Sequence, residues 1–374
     1  MTTSDSTASS GATVPPTATA PATQLDKKKS IIFGIVGLAF IILIFWKVIP
    51  QIGSYSEAWE ALQGMSSLAI ALIVVSVLVY LLVYGLPFMA ATPGLKFWRS
   101  EQVNQAAFAI SNGVPGGGAV GLAVQYGMLS SFGITATAST AAITAIGVWS
   151  SFVTLGFPIL GVGALVLSGQ SGSAYLLTSI IGLAVLAAVI LIFVLVMRSE
   201  KLATKAGHLG NAIIKPFSGR IKSLNGVDLV EPVTKFRVNM YDLLKSRWIA
   251  ITGAQVAVSV TQFLILYFAL RGVEGWDSLG TSIGVAFGSF AIAQLGMMIP
   301  ITPGGLGTVD AAMIALMISF GVSTGNATAA DLVWRAASFV PQIVIGVVAL
   351  LLWYRKAGQK FAQSSKPTKE SVGG

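Results

Sequence analysis

The 374-residue chain has no cysteine, a single histidine and few charges: Asp, Glu, Lys and Arg together make up 10% of it, against 54% hydrophobic residues. Without cysteine there is no disulfide framework, no thiolate metal site and no cysteine nucleophile. The lone His208 lies in a polar stretch far from other ligand-type side chains, so neither a metal nor another cofactor is expected. A soluble domain carries about 25% charged residues, and this chain has too few to coat a water-facing surface. Between Glu101 and Arg198 lie 96 consecutive residues with none of the four charged types, room for several membrane spans at ~20 residues each. Acidic residues are scarcer than basic ones, 14 against 23. In a membrane chain that excess marks topology and contacts anionic lipid head groups; no nucleic-acid partner is expected.

The pattern is that of an all-α polytopic membrane protein. Residues 1–26 are rich in Ser, Thr, Ala and Pro and read as a disordered tail. Lys27, Lys28 and Lys29 precede an apolar run from Ser30 to Trp46 that reads as a first span, and a second fills about 67–91. From about 102 to 131 two short apolar helices flank Asn112-Gly-Val-Pro-Gly-Gly-Gly118. Each is too short to cross, and a Pro-Gly break at membrane depth is tolerated only where protein or a cavity surrounds it, so this segment reads as a re-entrant hairpin. Spans at about 139–166 and 173–197 complete a first membrane repeat, 27–197. The polar segment 198–247 carries ten basic residues against four acids; helices lying among anionic head groups are expected there. A second membrane unit, 248–356, has a span at 248–270, a hairpin at about 280–322 broken at Pro303-Gly-Gly305, and a last span ending at Trp353. Residues 357–374 read as a second polar tail. In all, about six full spans and two re-entrant Pro-Gly-Gly hairpins are expected.

An offset of 188 takes Pro115-Gly116-Gly117 onto Pro303-Gly304-Gly305 and Ser131-Phe132-Gly133 onto Ser319-Phe320-Gly321. Two matched blocks at one offset indicate a duplication. If each hairpin enters and leaves on one side, residues 1–29, 92–138, 198–247 and 355 onward share the inner side and hold 20 of the 23 basic residues, as the positive-inside rule requires. Both termini are then cytoplasmic. The hairpins dip from opposite faces, an inverted repeat of the kind that places a binding site near the bilayer midplane.

The candidate binding residues follow from this plan. The helix N-termini after Pro115, Gly116 and Gly117 and after Pro303, Gly304, Gly305 and Gly307 present unpaired backbone N–H groups that attract anions. Two such ends converging would cradle a phosphate or carboxylate head group. Their alternative role is simply a tight turn and close helix packing. Asp310 and Arg335 are the ionisable residues placed within the membrane, and a guanidinium matches phosphate with two parallel hydrogen bonds. Three alternatives stand beside that role: Arg335 paired with Asp331 one turn earlier, Asp310 as a first-turn acid favoured by the helix dipole, or Asp310 paired with Arg335 across the bundle. Asn104, Gln105, Asn112, Gln125 and Tyr126 offer hydrogen bonds to a polar head group, or act as interhelical contacts. None of these residues is expected to be catalytic.

The stretch Pro303-Gly-Gly-Leu-Gly-Thr-Val-Asp310, followed by Trp334-Arg335, Pro341 and Gly346, resembles the lysylphosphatidylglycerol synthase transmembrane (flippase-like) family. The resemblance implies a translocator of a polar-headed lipid, a phospholipid or a polyprenyl-phosphate-linked lipid, in a bacterial inner membrane. It also implies company with envelope lipid- or glycan-synthesis enzymes. Asp310 stands where the family usually has glutamate. No basic residue follows the first Pro-Gly turn between Gly118 and Tyr126, which points away from an aminoacylated anionic lipid. The soluble synthase domain of some members is absent, so no lipid aminoacylation is expected. The alternatives are a membrane-embedded glycosyl- or acyltransferase, which would want paired carboxylates, and a small-solute secondary transporter with a cavity sealed from lipid.

Overall fold

The computed structural model describes residues 55–113, 117–169, 173–218, 228–276, 280–298 and 303–364. The N-terminal tail, the span at 30–46, and Pro115 and Gly116 of the first hairpin lie outside the described residues. The described residues form twelve α-helices and no strand. They are α1 (Tyr55–Gln63), α2 (Ser67–Val83), α3 (Leu86–Ala91), α4 (Phe97–Gly113), α5 (Gly117–Ser131), α6 (Ala136–Leu167), α7 (Ser173–Arg198), α8 (Glu200–Ser218), α9 (Val230–Glu274), α10 (Ile283–Ala293), α11 (Thr308–Ser319) and α12 (Thr324–Ser364). Among the described residues four stretches are long and apolar enough to cross a membrane: Ser67–Ala91, Ala136–Leu167, Lys245–Glu274 and Thr324–Arg355. The apolar α7 coincides with a fifth expected span. Leu68, Val75 and Leu78 on α2, Ile181 and Leu191 on α7, and Val344 and Leu351 on α12 are exposed. These faces are solvated by lipid, and the chain is a multi-pass membrane protein.

Helix starts are set by hydroxyl caps. Ser66, Thr135 and Ser282 each accept a hydrogen bond from the backbone N–H three residues on, which satisfies one of the free donors of a first turn. Stops come from glycines in the left-handed region, among them Gly133 (φ 86°) and Gly321 (φ 95°).

The offset of 188 reappears bond by bond. At the end of α5, Phe132 N–H donates to the carbonyls of Met128 and Leu129, Ile134 N–H to Leu129, and Ser131 Oγ to Met128. At the end of α11, Phe320 donates to Leu316 and Met317, Val322 to Met317, and Ser319 Oγ to Leu316. Thr135 and Ser323 then cap α6 and α12 through Ala138 and Asn326. The same short sequence thus makes the same helix-turn-helix corner twice.

Two pairs of short helices each flank a Pro-Gly segment. α4 and α5, with 17 and 15 residues, pack along each other on either side of the Pro-Gly segment. Close approach is possible because Gly117 and Gly121 carry no side chain: a Cβ there would lie 2.1 Å from the Ile110 carbonyl and from Ser111 Oγ. α10, a 3-10 turn at Gln294–Met298, the Pro303–Gly305 turn and α11 form the second pair. The long α12 packs on α4, and α10 on the long α6, so each short-helix pair rests on a helix long and apolar enough to cross a membrane.

α9 is a single helix of 45 residues that begins in the polar segment and continues as a span. The polarity boundary at Arg247 is not a helix boundary. The amphipathic α8 lies against it. Their corner is fixed by Asp228, whose Oδ1 accepts from Asn211 Nδ2 (2.7 Å) and Val230 N–H (2.9 Å), and by Asn211 Oδ1, which accepts from Leu229 N–H (2.8 Å).

Candidate functional site

The Pro303-Gly-Gly-Leu-Gly run turns through three left-handed glycines, Gly304 (φ 61°), Gly305 (φ 66°) and Gly307 (φ 84°), and leads directly into α11. That curl brings Asp310 to the third helical position. Its Oδ2 accepts the Gly307 N–H at 2.6 Å. A carboxylate there answers the positive end of the helix dipole and one of its free donors. Asp310 is therefore the first-turn acid expected as one alternative, and the anion-attracting end of α11 already holds an anion.

Arg335 approaches Asp310 from α12. Nε lies 2.6 Å from Oδ1 and Nη2 lies 2.8 Å from Oδ2, while Nη1 reaches the Gly304 carbonyl at 3.4 Å. The pair across the bundle is thus the alternative that forms. Asp310 is fully buried and Arg335 is 3% exposed. The guanidinium also lies 4.6 Å from the ring centroids of both Trp334 and Phe339, so aromatic faces supply part of its lost solvation.

Asp331, the competing partner one turn earlier on α12, is fully buried as well. Neither of its oxygens has a hydrogen-bond partner among the described residues. It interacts electrostatically with both Asp310 and Arg335. The centre therefore holds two carboxyl groups and one guanidinium, and only one carboxyl uses the guanidinium's paired donors.

The end of α4 and the Pro303–Gly305 turn meet here. A Cβ at Gly304 would lie 2.8 Å from Asn112 Oδ1 and 2.6 Å from Phe339 Cζ, so the missing side chain lets the end of α4 close on the second turn. Asn112 itself donates to the Phe108 carbonyl. Edge-on ring contacts run from Tyr80 to Tyr84 (5.7 Å), to Phe108 (5.6 Å) and to Phe339 (5.3 Å), linking α2, α4 and α12 beside the ion pair. Gly117 starts α5, packed on α4. Gln125 and Tyr126 are half-buried further along α5, where the Tyr126 hydroxyl donates to Thr140 Oγ1 of α6. Of the expected polar residues, Asn112 joins the Asp310–Arg335 cluster, whereas Tyr126 belongs to the α5–α6 contact.

Tyr80, Gln262 and Gln342, which are not among the residues expected from sequence, complete the polar surroundings of the centre. Tyr80 donates to Gln342 Oε1 (3.1 Å) and accepts from Gln262 Nε2 (3.1 Å), while Trp334 Nε1 donates to the Gln262 carbonyl (3.2 Å). Gln342 Nε2 is buried without a partner among the described residues. The signal available was a glutamine inside each of two apolar spans, since such side chains are costly in lipid unless they find partners. Glu101, read only as the edge of the uncharged run, accepts the Gly85 N–H at 2.6 Å and Gln105 Nε2 at 3.3 Å. Ser100 Oγ donates to the Gly85 carbonyl and Asn104 Nδ2 to the Tyr84 carbonyl, each at 2.6 Å. Together they tie α4 to the backbone groups left open between α2 and α3.

No match is found among curated proteins. The model of the lysylphosphatidylglycerol synthase TM region matches residues 34–346, both hairpins and the Asp310–Arg335 centre included, and the chain belongs to that family.

Proposed function

We propose that this protein moves a polar-headed lipid, a phospholipid or a polyprenyl-phosphate-linked lipid, across a bacterial inner membrane. The observation that carries the reading is the meeting of the two broken hairpins, Asn112 against Gly304, over a buried guanidinium. Broken helices converging on a charged centre are how membrane proteins offer a polar path without exposing backbone to lipid. In this reading the hairpins enter from opposite faces as an inverted repeat, and both termini are cytoplasmic. The head group passes between the tips while its tails stay in the bilayer.

The arrangement described is the closed form. Arg335 spends its paired donors on Asp310, and Asp310 also caps α11. A lipid phosphate has the geometry to replace the carboxylate on Arg335, which would free the end of α11 and let the tips separate. Such an exchange needs no bound nucleotide, and the chain has no nucleotide-binding loop; the lipid gradient, the membrane potential or protons would drive it. An embedded transferase would call on Asp310 and Asp331 as its pair of acids. Both are fully enclosed, and Asp310 is committed to Arg335, which favours a latch over an acid-base pair.

Arg335→Lys keeps the charge and removes the fork. Transport of a head-group-labelled lipid in reconstituted vesicles should fall about tenfold or more, the scale of lost hydrogen bonds to a charged group, while the variant still inserts and purifies. Equal loss of transport and of folded protein would leave Arg335 a purely structural residue.

A further inference from the structure

A groove of about 430 Å³ lies between α3, with the turn that follows it, and the middle of α9. On α9 its wall is a run of small residues, Ala250, Gly253, Ala254 and Ala257, spaced so that they share one face of the helix. Apolar side chains of α3 form the opposite wall, and the volume is in the range of sites that enclose a ligand. Arg247 stands at one end. Its hydrogen bond among the described residues is a long one, Nη1 to the Ala90 carbonyl at 3.4 Å. Among those residues it has no ion-pair partner. Beside it Thr92, 1% exposed, lines the groove with an Oγ1 that has no hydrogen-bond partner among the described residues.

Arg247 also sits where α9 changes from polar to apolar, next to the exposed Trp248 and Ile249. That is the depth at which aromatic side chains mark the membrane interface and phosphate groups lie. A cation without a counter-charge at that depth, a buried hydroxyl without a partner, and an apolar channel running from them toward the bilayer core match the parts of one molecule.

We infer that this groove holds an anionic phospholipid, with its phosphate on Arg247, an ester or head-group oxygen accepting from Thr92 Oγ1, and one acyl chain against the small-residue face of α9. It is a resident lipid site, separate from the Asp310–Arg335 centre, and it does not depend on the translocation reading.

The test is native mass spectrometry of the full chain released from vesicles of equal parts phosphatidylglycerol and phosphatidylcholine with identical acyl chains. The wild-type protein should retain phosphatidylglycerol in preference. Arg247→Gln should lower that retention about fivefold, the scale of one basic residue's attraction for anionic lipid. Gly253→Leu should lower it similarly by filling the channel. A Cβ at Gly253 meets nothing within 4 Å, so the new side chain starts in open space, and unchanged thermal unfolding checks that the variant folds. Equal retention of the two lipids by the wild-type protein, or unchanged retention in either folded variant, overturns the inference. So does displacement of the lipid by inorganic phosphate, which would mark a soluble-anion site instead.

Discussion

Arg335 on α12 grips both carboxylate oxygens of Asp310 in the first turn of α11, with contacts of 2.6 and 2.8 Å between two side chains withdrawn from solvent. Taking one partner away leaves the other as a buried charge, which typically costs about 3–5 kcal/mol, whereas replacing both by apolar residues of similar size is often close to neutral. Arg335→Met alone should therefore lower the thermal unfolding temperature markedly. Adding Asp310→Leu should restore part of the loss, because Asp331 stays buried without the guanidinium and the Gly307 N–H loses its acceptor. A double variant no more stable than the single one would show that the pair's charge is not what holds the two helices.

Gly346 lets α12 rest on the backbone of α4: a Cβ there would lie 2.1 Å from the Gln105 carbonyl and 2.6 Å from Ala109 Cβ. Gly346→Ala should cost about 1–3 kcal/mol through overpacking. Gly163 on α6 has nothing within 4 Å of such a Cβ, so Gly163→Ala should be neutral or stabilising by up to ~1 kcal/mol, the helix-propensity difference. Thermal unfolding in one detergent separates the two, and equal effects would contradict the packing assigned to α12 and α4.

The α8–α9 corner should be acid-sensitive. The N–H of Val230, and next the amide of Asn211, hold the Asp228 carboxyl below its usual range. A depressed folded-state pKa contributes stability that is present above the unfolded-state value and is lost as pH falls through the folded-state value. Hydrogen exchange at Leu229 and Val230 should accelerate as pH falls below the ordinary aspartate range, after correction for intrinsic exchange. In Asp228→Ala that acceleration should be absent, because the exchange is already fast at neutral pH.

Much of this architecture could be read from the chain because the same signals occur twice. Ser-Phe-Gly followed by a hydroxyl cap is a local instruction, and it makes the same corner at Gly133 and Gly321. The electrostatic centre was only half legible. Burial demanded a partner for Arg335, yet Asp331 one turn away and Asp310 across the bundle were equally available on paper. The curl at Gly304, Gly305 and Gly307 decides between them by bringing Asp310 onto the N-terminus of α11. The continuity of α9 was hidden because polarity changes at Arg247 without any proline or glycine to stop the helix. Glu101 was hidden for the opposite reason: its role depends on the break at Gly85 in a stretch that reads as one apolar span.

The chain's lack of cysteine makes the inverted repeat directly testable. Ser131 and Ser319 occupy equivalent exposed positions at the repeated corner. Introduced one at a time, Ser131→Cys should react with a membrane-impermeant thiol reagent from the cytoplasmic side and Ser319→Cys from the outer side. Labelling of both from one side would exclude opposite orientations.

Head-group flipping in vesicles holding the purified protein, with reporter-labelled phospholipid and polyprenyl-phosphate analogues followed side by side, tests lipid translocation most directly. One class should cross rapidly with the wild-type protein and fall to the protein-free rate with a folded Arg335→Ala variant. No acceleration of either class over protein-free vesicles, or equal acceleration by the wild-type and Arg335→Ala proteins, would contradict translocation through the Asp310–Arg335 centre.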